Sequence, residues 1–282
     1  MKVLLLGLGK MGSLHGKYLD ELNIDWCWFD PDTVRTLNDS LSKKRLDVFS
    51  HNSLQSFTHF IIATPTHTHE DLLYILLKLN KKILVEKPGV INQRSLHFLE
   101  NKNVSVGMVE RFNPAFQTVS KNIEKSKILN IDFIRCSARP VSRIDTNSFI
   151  DVGIHDLDLM CQIYSLSDIK DIKTFRKNNT FTLTAQTNNE QIIRFIWSNE
   201  TYHKERRVCI RQLDYNLECN LADQTVKKFY ITEDFKNIVE DLYVEKKSPL
   251  LSELQYFLSA NEHINAVDSH SIFLKILSEN FN

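Results

Sequence analysis

The chain has 282 residues, 42% of them hydrophobic, with 35 Lys and Arg against 35 Asp and Glu; the length predicts two domains with a core each, and the zero net charge argues against a general field toward nucleic acid or an anionic membrane. No apolar run reaches the roughly 18 to 20 residues of a membrane-spanning helix. Five cysteines without CxxC spacing argue against a disulfide framework and a structural zinc site, and with no export signal visible a reducing cytoplasm is the expected compartment.

In chain order, short apolar runs over 3–6, 26–29, 60–63, 83–85 and 104–106 alternate with helical periodicity over 11–22, 33–40 and 70–79. This is the pattern of a parallel sheet covered by helices. Leu72, Leu73, Leu76 and Leu79 share one face of the last of these helices. After Arg111-Phe112-Asn113-Pro114 the texture changes to a helix over 115–126, an extended segment over 128–139 and a helix over 149–164. Strands are then predicted over 169–175, 180–187, 191–198, 206–213, 215–221 and 225–231, and amphipathic helices over 251–259 and 270–279 close the chain. The expected fold class is α/β: a doubly wound parallel sheet over 1–112, then an α+β domain with an open, mainly antiparallel sheet over 113–282.

The first strand runs straight into Gly7-Leu8-Gly9-Lys10-Met11-Gly12, a GxGxxG turn with a helix leaving it, which is the Rossmann dinucleotide-binding arrangement. Gly7 is expected to form the turn and Gly12 to admit the strand against the helix. Gly9 would let a pyrophosphate approach the N–H groups of the helix N-terminus, where Lys10 and Met11 lie. Asp30 ends the second strand near the spacing of a carboxylate that binds both adenosine-ribose hydroxyls. Its charge would repel a 2′-phosphate, so NAD is expected over NADP, with Arg35 the nearby cation that could soften the preference. Asp30 also opens the Asp30-Pro31-Asp32 turn, and the two roles are compatible. Thr64, Pro65 and His69 follow the carboxyl edge of a strand, where ligands bind in open α/β sheets, and are read as helix entry and cofactor contact. No metal is expected at His67 and His69, because no further ligand set has recognisable spacing. His15 reads as packing.

Glu86-Lys87-Pro88 follows the buried run Ile83-Leu84-Val85, which puts Lys87 at the edge where such a sheet presents reactive groups. Oxidising a secondary alcohol with NAD needs a base for the hydroxyl proton, and Lys87 and His155 are the candidates. The plain alternative for Lys87 is a surface pair with Glu86. In Asp151-Val152-Gly153-Ile154-His155-Asp156, Asp151 and His155 stand four apart on a predicted helix and so share a face. That spacing suits an acid/base couple or an ordinary polar face. Gly153 is unfavourable inside a helix and predicts a close approach of backbone or ligand.

The chain resembles the Gfo/Idh/MocA oxidoreductases over nearly its whole length, through the GxGxxG turn, Thr64-Pro65 followed by His69, Glu86-Lys87-Pro88 and Asp151 to Asp156. The resemblance implies that Lys87 is the motif lysine, that Glu86 belongs to the cofactor-binding set, and that Asp151 and His155 are the Asp-x-x-x-His pair with histidine as acid/base. Residues 107–114 resemble the UDP-N-acetylglucosamine 3-dehydrogenase subgroup. This implies oxidation of the 3-hydroxyl of a sugar nucleotide to a 3-keto sugar for later transamination. Lys87, Arg111, Asn113, Asp151 and His155 would bind the substrate, although Asn113-Pro114 could equally only start the following helix. The resemblance also implies a homodimer or homotetramer formed through the C-terminal sheet. Asn80 stands where the family commonly has glycine. Two other readings stay open: a dehydrogenase of a free polyol or sugar, like inositol dehydrogenase, and a dinucleotide-sensing regulator without chemistry, which the intact Lys87, Asp151 and His155 oppose.

Overall fold

The computed structural model describes residues 1–32, 39–138, 149–259 and 263–280. Residues 33–38 of the helix expected over 33–40, with Arg35, and Arg139 at the end of the extended segment lie outside the described residues. Two compact units are formed, one from Met1–Met108 with Leu250–Glu279, the other holding Val109–Pro249.

In the first unit, β1 (Lys2–Leu6), β2 (Asp25–Phe29), β3 (His59–Ile62), β4 (Lys82–Glu86) and β5 (Val104–Gly107) make a parallel sheet in the order β2-β1-β3-β4-β5 among the described residues. Leu4, Leu5, Ile61, Ile62, Leu84 and Val85 are at most 1% exposed, as expected of strands covered on both faces. Helix α1 (Lys10–Glu21) leaves the glycine turn, α2 (Asp39–Ser42) and α3 (His51–Leu54) are short, and α4 is His69–Leu76. The helix expected over 70–79 tightens to a 3₁₀ turn at Leu77–Leu79, and Asn80 ends it in the left-handed region at φ 51°. Asparagine is among the few residues that enter this region readily, so the departure from glycine at Asn80 preserves the helix end.

The sequence places a single cut after residue 112, whereas the closing helices pack with the first unit. These helices are α7 (Pro249–Ser259) and, after α5 and α6 described below, α8 (Val267–Asn280). Phe257 stacks edge-on against His59 with ring centroids 5.4 Å apart, and the Ile264 N–H donates to Ser105 Oγ at 3.0 Å. Their apolar faces, with Leu254, Phe257, Ile272 and Phe273 buried, are covered there; periodicity alone shows that such a face exists, not which sheet receives it.

The second unit holds α5 (Pro114–Lys121), α6 (Ile154–Cys161) and eight described strands: β6 (Ile128–Ala138), β7 (Ile169–Lys177), β8 (Thr180–Thr187), β9 (Ile192–Ser198), β10 (Glu200–Gln212), β11 (Asn216–Asn220), β12 (Thr225–Ile231) and β13 (Asn237–Leu242). Their order is β13-β12-β11-β10-β6-β9-β8-β7. All neighbours are antiparallel except β6 and β9, which run parallel with Phe133 beside Phe195 and Arg135 beside Trp197. One face buries Ile131, Phe133, Phe195, Trp197, Val208 and Ile210. The helix expected over 149–164 is divided into a π-helical turn, Phe149–Gly153, and α6. A Cβ on Gly153 would lie 2.6 Å from Phe149 Cδ2, so the close approach that this glycine predicts is made by an aromatic ring of its own turn.

Candidate functional site

In the first unit a cavity of about 820 Å³ is lined by Gly7, Gly9, Lys10, Met11, Asp30, Thr64 and Pro65, with Phe29, Phe49 and Leu72 among its apolar walls. Seven of the sequence-predicted cofactor residues therefore meet at one place. The three glycines of the turn divide the work. Gly7 has φ +87° and a Cβ there would lie 2.7 Å from the Ala63 carbonyl oxygen, while a Cβ on Gly12 would lie 2.0 Å from Gly7 O. At Gly9, which precedes α1, an added Cβ would meet nothing within 4 Å. Gly7 and Gly12 thus serve the fold, and the bare backbone at Gly9 faces open space.

Asp30 closes this loop from the end of β2. Its Oδ2 accepts the Leu8 N–H at 2.8 Å and its Oδ1 accepts the Asp32 N–H at 2.9 Å. The carboxylate is oriented at the cavity rim by the backbone turn that Asp30 was expected to open. No acidic residue of α1 itself sits in its first turn, so the carboxylate beside this helix end comes from Asp30. A volume of this size with apolar walls and a few oriented polar groups fits a dinucleotide.

Three residues assigned to cofactor contact have other occupations. His69 is 1% exposed, and its Nδ1 and Nε2 lie 3.0 Å from Pro88 O and 3.0 Å from Thr64 O. Both neighbours are carbonyl acceptors, so a neutral ring satisfies one of them at a time. Burial pushes this imidazole below its ordinary value, against the carbonyls and Glu86, which pull it up. Glu86 is buried and pairs with His15 Nε2 at 2.7 Å, so it faces the interior. Gly12 packs against Gly7. Lys87 itself is half-buried just past the end of β4.

In the second unit Asp151 lies in the π-helical turn and His155, 9% exposed, in the first turn of α6. The change of helical pitch between them means that the simple four-residue argument for a shared face does not apply to this pair. Arg111 is held by Asp158 of α6, with Nε to Oδ2 at 2.6 Å and Nη2 to Oδ1 at 2.5 Å. Asn113 is 2% exposed. Its Nδ2 donates to Glu110 Oε2 at 3.1 Å and Leu221 O at 2.9 Å, and its Oδ1 accepts the Ala115 N–H at 3.1 Å. Its amide caps α5, the helix-start role that Asn113-Pro114 also allowed, and bonds Leu221 O.

Beneath His155 lies an ion network that sequence reasoning missed. Arg135 donates to Asp156 Oδ1 from Nη2 at 2.7 Å and to Glu110 Oε1 from Nη1 at 2.9 Å, and Trp197 Nε1 donates to Asp156 Oδ2 at 2.8 Å. Burial alone would raise the Glu110 carboxyl, but Arg135, Asn113 and Arg206 hold it below its usual range. One local signal was available: Arg135 continues the inward alternation of Ile131 and Phe133, and an inward arginine requires a buried carboxylate.

Comparison with protein-family models gives no match. Among curated proteins, the chain is 23% identical over 178 residues to myo-inositol 2-dehydrogenase of Thermotoga maritima, covering 56% of this chain and 53% of that one. It is 28% identical over 178 residues to scyllo-inositol 2-dehydrogenase (NAD(+)) of Bacillus subtilis, covering 55% and 51%. The chain thus spans about half the length of the curated relatives it matches. Among solved structures, UDP-N-acetylglucosamine 3-dehydrogenase GnnA from Acidithiobacillus ferrooxidans superposes with a TM-score of 0.85 at 18% identity, covering 98% and 96% of the two chains. The dehydrogenase MviM from Clostridium difficile gives 0.80 at 16% identity, covering 99% of each. With its five-stranded parallel sheet and mainly antiparallel eight-stranded sheet, the chain shares the fold of these two dehydrogenases.

Proposed function

We propose that the chain is an NAD-dependent dehydrogenase of a ring secondary alcohol on a sugar nucleotide, foremost the 3-hydroxyl of UDP-N-acetylglucosamine. The observation that carries the reading is the cavity at the Gly9 backbone with Asp30 on its rim. A 2′-phosphate would meet the Asp30 carboxylate, which favours NAD over NADP. A bound NAD would supply the acceptor for the hydride of the alcohol carbon. His155 takes the hydroxyl proton, Asp151 holds the imidazole, and the Lys87 ammonium stabilises the developing oxyanion. Arg111, fixed by Asp158, supports the segment that carries His155.

The sugar-nucleotide substrate is supported by the similarity to GnnA over 98% of this chain; the names of the curated relatives support free inositol as a second reading. The proposal extends to a homodimer or homotetramer formed through the eight-stranded sheet of the second unit. The five cysteines lack CxxC spacing, which supports a reducing compartment such as the cytoplasm.

NADH formation with a panel of UDP-sugars, inositols and free sugars tests the substrate. Turnover of inositol alone would replace the sugar nucleotide, and NAD binding without turnover of any alcohol would make the chain a sensor. Lys87→Ala and His155→Ala are expected to abolish turnover with NAD binding retained; activity in both would remove the mechanism.

A further inference from the structure

We propose that three buried histidines, His15, His69 and His270, are positioning residues that lock the backbone around Lys87 and so fix where its amine stands. The inference rests on the reading of Lys87 as the group that stabilises the oxyanion. Ladder pairing of β4 ends at Glu86 opposite Gly107, and Lys87 follows immediately. From there side chains do the holding. His15 of α1 binds the Glu86 carboxylate from Nε2 at 2.7 Å. His69 of α4 sets Nδ1 3.0 Å from Pro88 O. His270 of α8 accepts the Gly89 N–H on Nε2 at 2.9 Å, and its Nδ1 lies 2.8 Å from Ala266 O. The residue before Lys87 and the two after it are thus each tied to a different helix.

The three rings are 0%, 1% and 0% exposed, and each sets one nitrogen against the short segment 86–89. Acceptance of the Gly89 N–H places the single proton of a neutral His270 on Nδ1, where Ala266 O receives it. A lysine carries a flexible four-carbon stem, and an oxyanion stabiliser must be held close to its productive geometry. Anchoring residues 86, 88 and 89 removes backbone freedom at the root of that stem. Two of the anchors also start beside the cavity: His15 lies in the helix that follows Gly9, and His69 Nε2 lies 3.0 Å from Thr64 O on its wall.

The test compares full-length His15→Leu, His69→Phe and His270→Phe with the conservative His15→Gln and His270→Gln. Readouts are kcat, KM for NAD, melting temperature, and the rate at which an amine-reactive ester labels Lys87, followed by peptide mass. The apolar variants are expected to lose about 10- to 100-fold in kcat and to change Lys87 labelling severalfold, with labelling of Lys78 constant and KM for NAD within about twofold. The Gln variants, which keep a donor toward Glu86 or an acceptor for Gly89, are expected to recover most of both. Where an apolar variant fails to fold, His69→Gln supplies the labelling comparison, since one amide cannot reach both carbonyls. Unchanged labelling, or losses in kcat matched by KM for NAD and by melting temperature, would overturn the proposal. Full turnover in Lys87→Ala would instead remove the catalytic reading of Lys87, while a labelling shift in His15→Leu would still stand.

Discussion

A Cβ on Gly12 would sit 2.0 Å from the carbonyl oxygen of Gly7, well inside the 3.0 Å that real Cβ atoms keep, whereas the same atom on Gly9 would meet nothing within 4 Å. The two glycines therefore separate stability from binding. Gly12→Ala is expected to destabilise the first unit by about 1–3 kcal/mol through overpacking, visible in thermal unfolding. Gly9→Ala should leave the melting temperature of the free protein unchanged and weaken NAD binding about tenfold or more, measured by calorimetry. An equal loss of stability in both would show that the space at Gly9 serves the fold.

Asp30 spends one carboxylate oxygen on Leu8 N–H and the other on Asp32 N–H. Asp30→Ala should cost about 1 kcal/mol of loop stability and lower kcat/KM for NAD by about an order of magnitude, with NADP affected less or improved. The ratio of the two cofactors in steady-state assays is the deciding quantity.

Arg135 neutralises Asp156 and Glu110 in a buried setting. Arg135→Ala leaves both carboxylates without their common partner and is expected to cost about 3–5 kcal/mol, read as a lower denaturant midpoint for the second unit. The triple change Glu110→Leu, Arg135→Met and Asp156→Leu should recover only part of that stability, because Trp197 Nε1 and Asn113 Nδ2 then lose the carboxylates they donate to.

His59 is pushed down to about 4 by burial, with Lys82 and the terminal amine adding to the effect. Its folded value lies below the ordinary 6.5, so the unfolded chain binds more protons between these values and stability must fall as pH drops from about 6.5 to about 4. His59→Phe should flatten this part of the melting temperature against pH curve. A slope unaffected by the substitution would assign it to other groups.

Much of the scaffold was legible because its signals are local. Leu4 to Leu6, Ile61 and Ile62, and Ile83 to Val85 read as covered strands from their apolar runs, and the glycine turn located the cavity. The missing strand β13 has no such signal, since Asn237–Leu242 lies at the sheet edge with none of its residues buried. The partners of Arg135, Arg111 and Gly89 stand at residues 156, 158 and 270, and no periodicity connects positions so far apart. His69 and Asn113 carried motif-like signals whose polar atoms the fold then consumed. A motif names the residue type that a place needs and leaves open whether its side chain turns outward or inward.

The parallel pair β6 and β9 brings Asn130 beside Ile192, so everything between them, including α6 with His155, hangs from one long closure. The chain must lose the entropy of joining these distant strands before Arg135 and Trp197 can grip Asp156 together. Assembly of α6 should therefore wait on a non-local docking event, making this half of the molecule the slower to mature and the part that leans most on protection while it is being made.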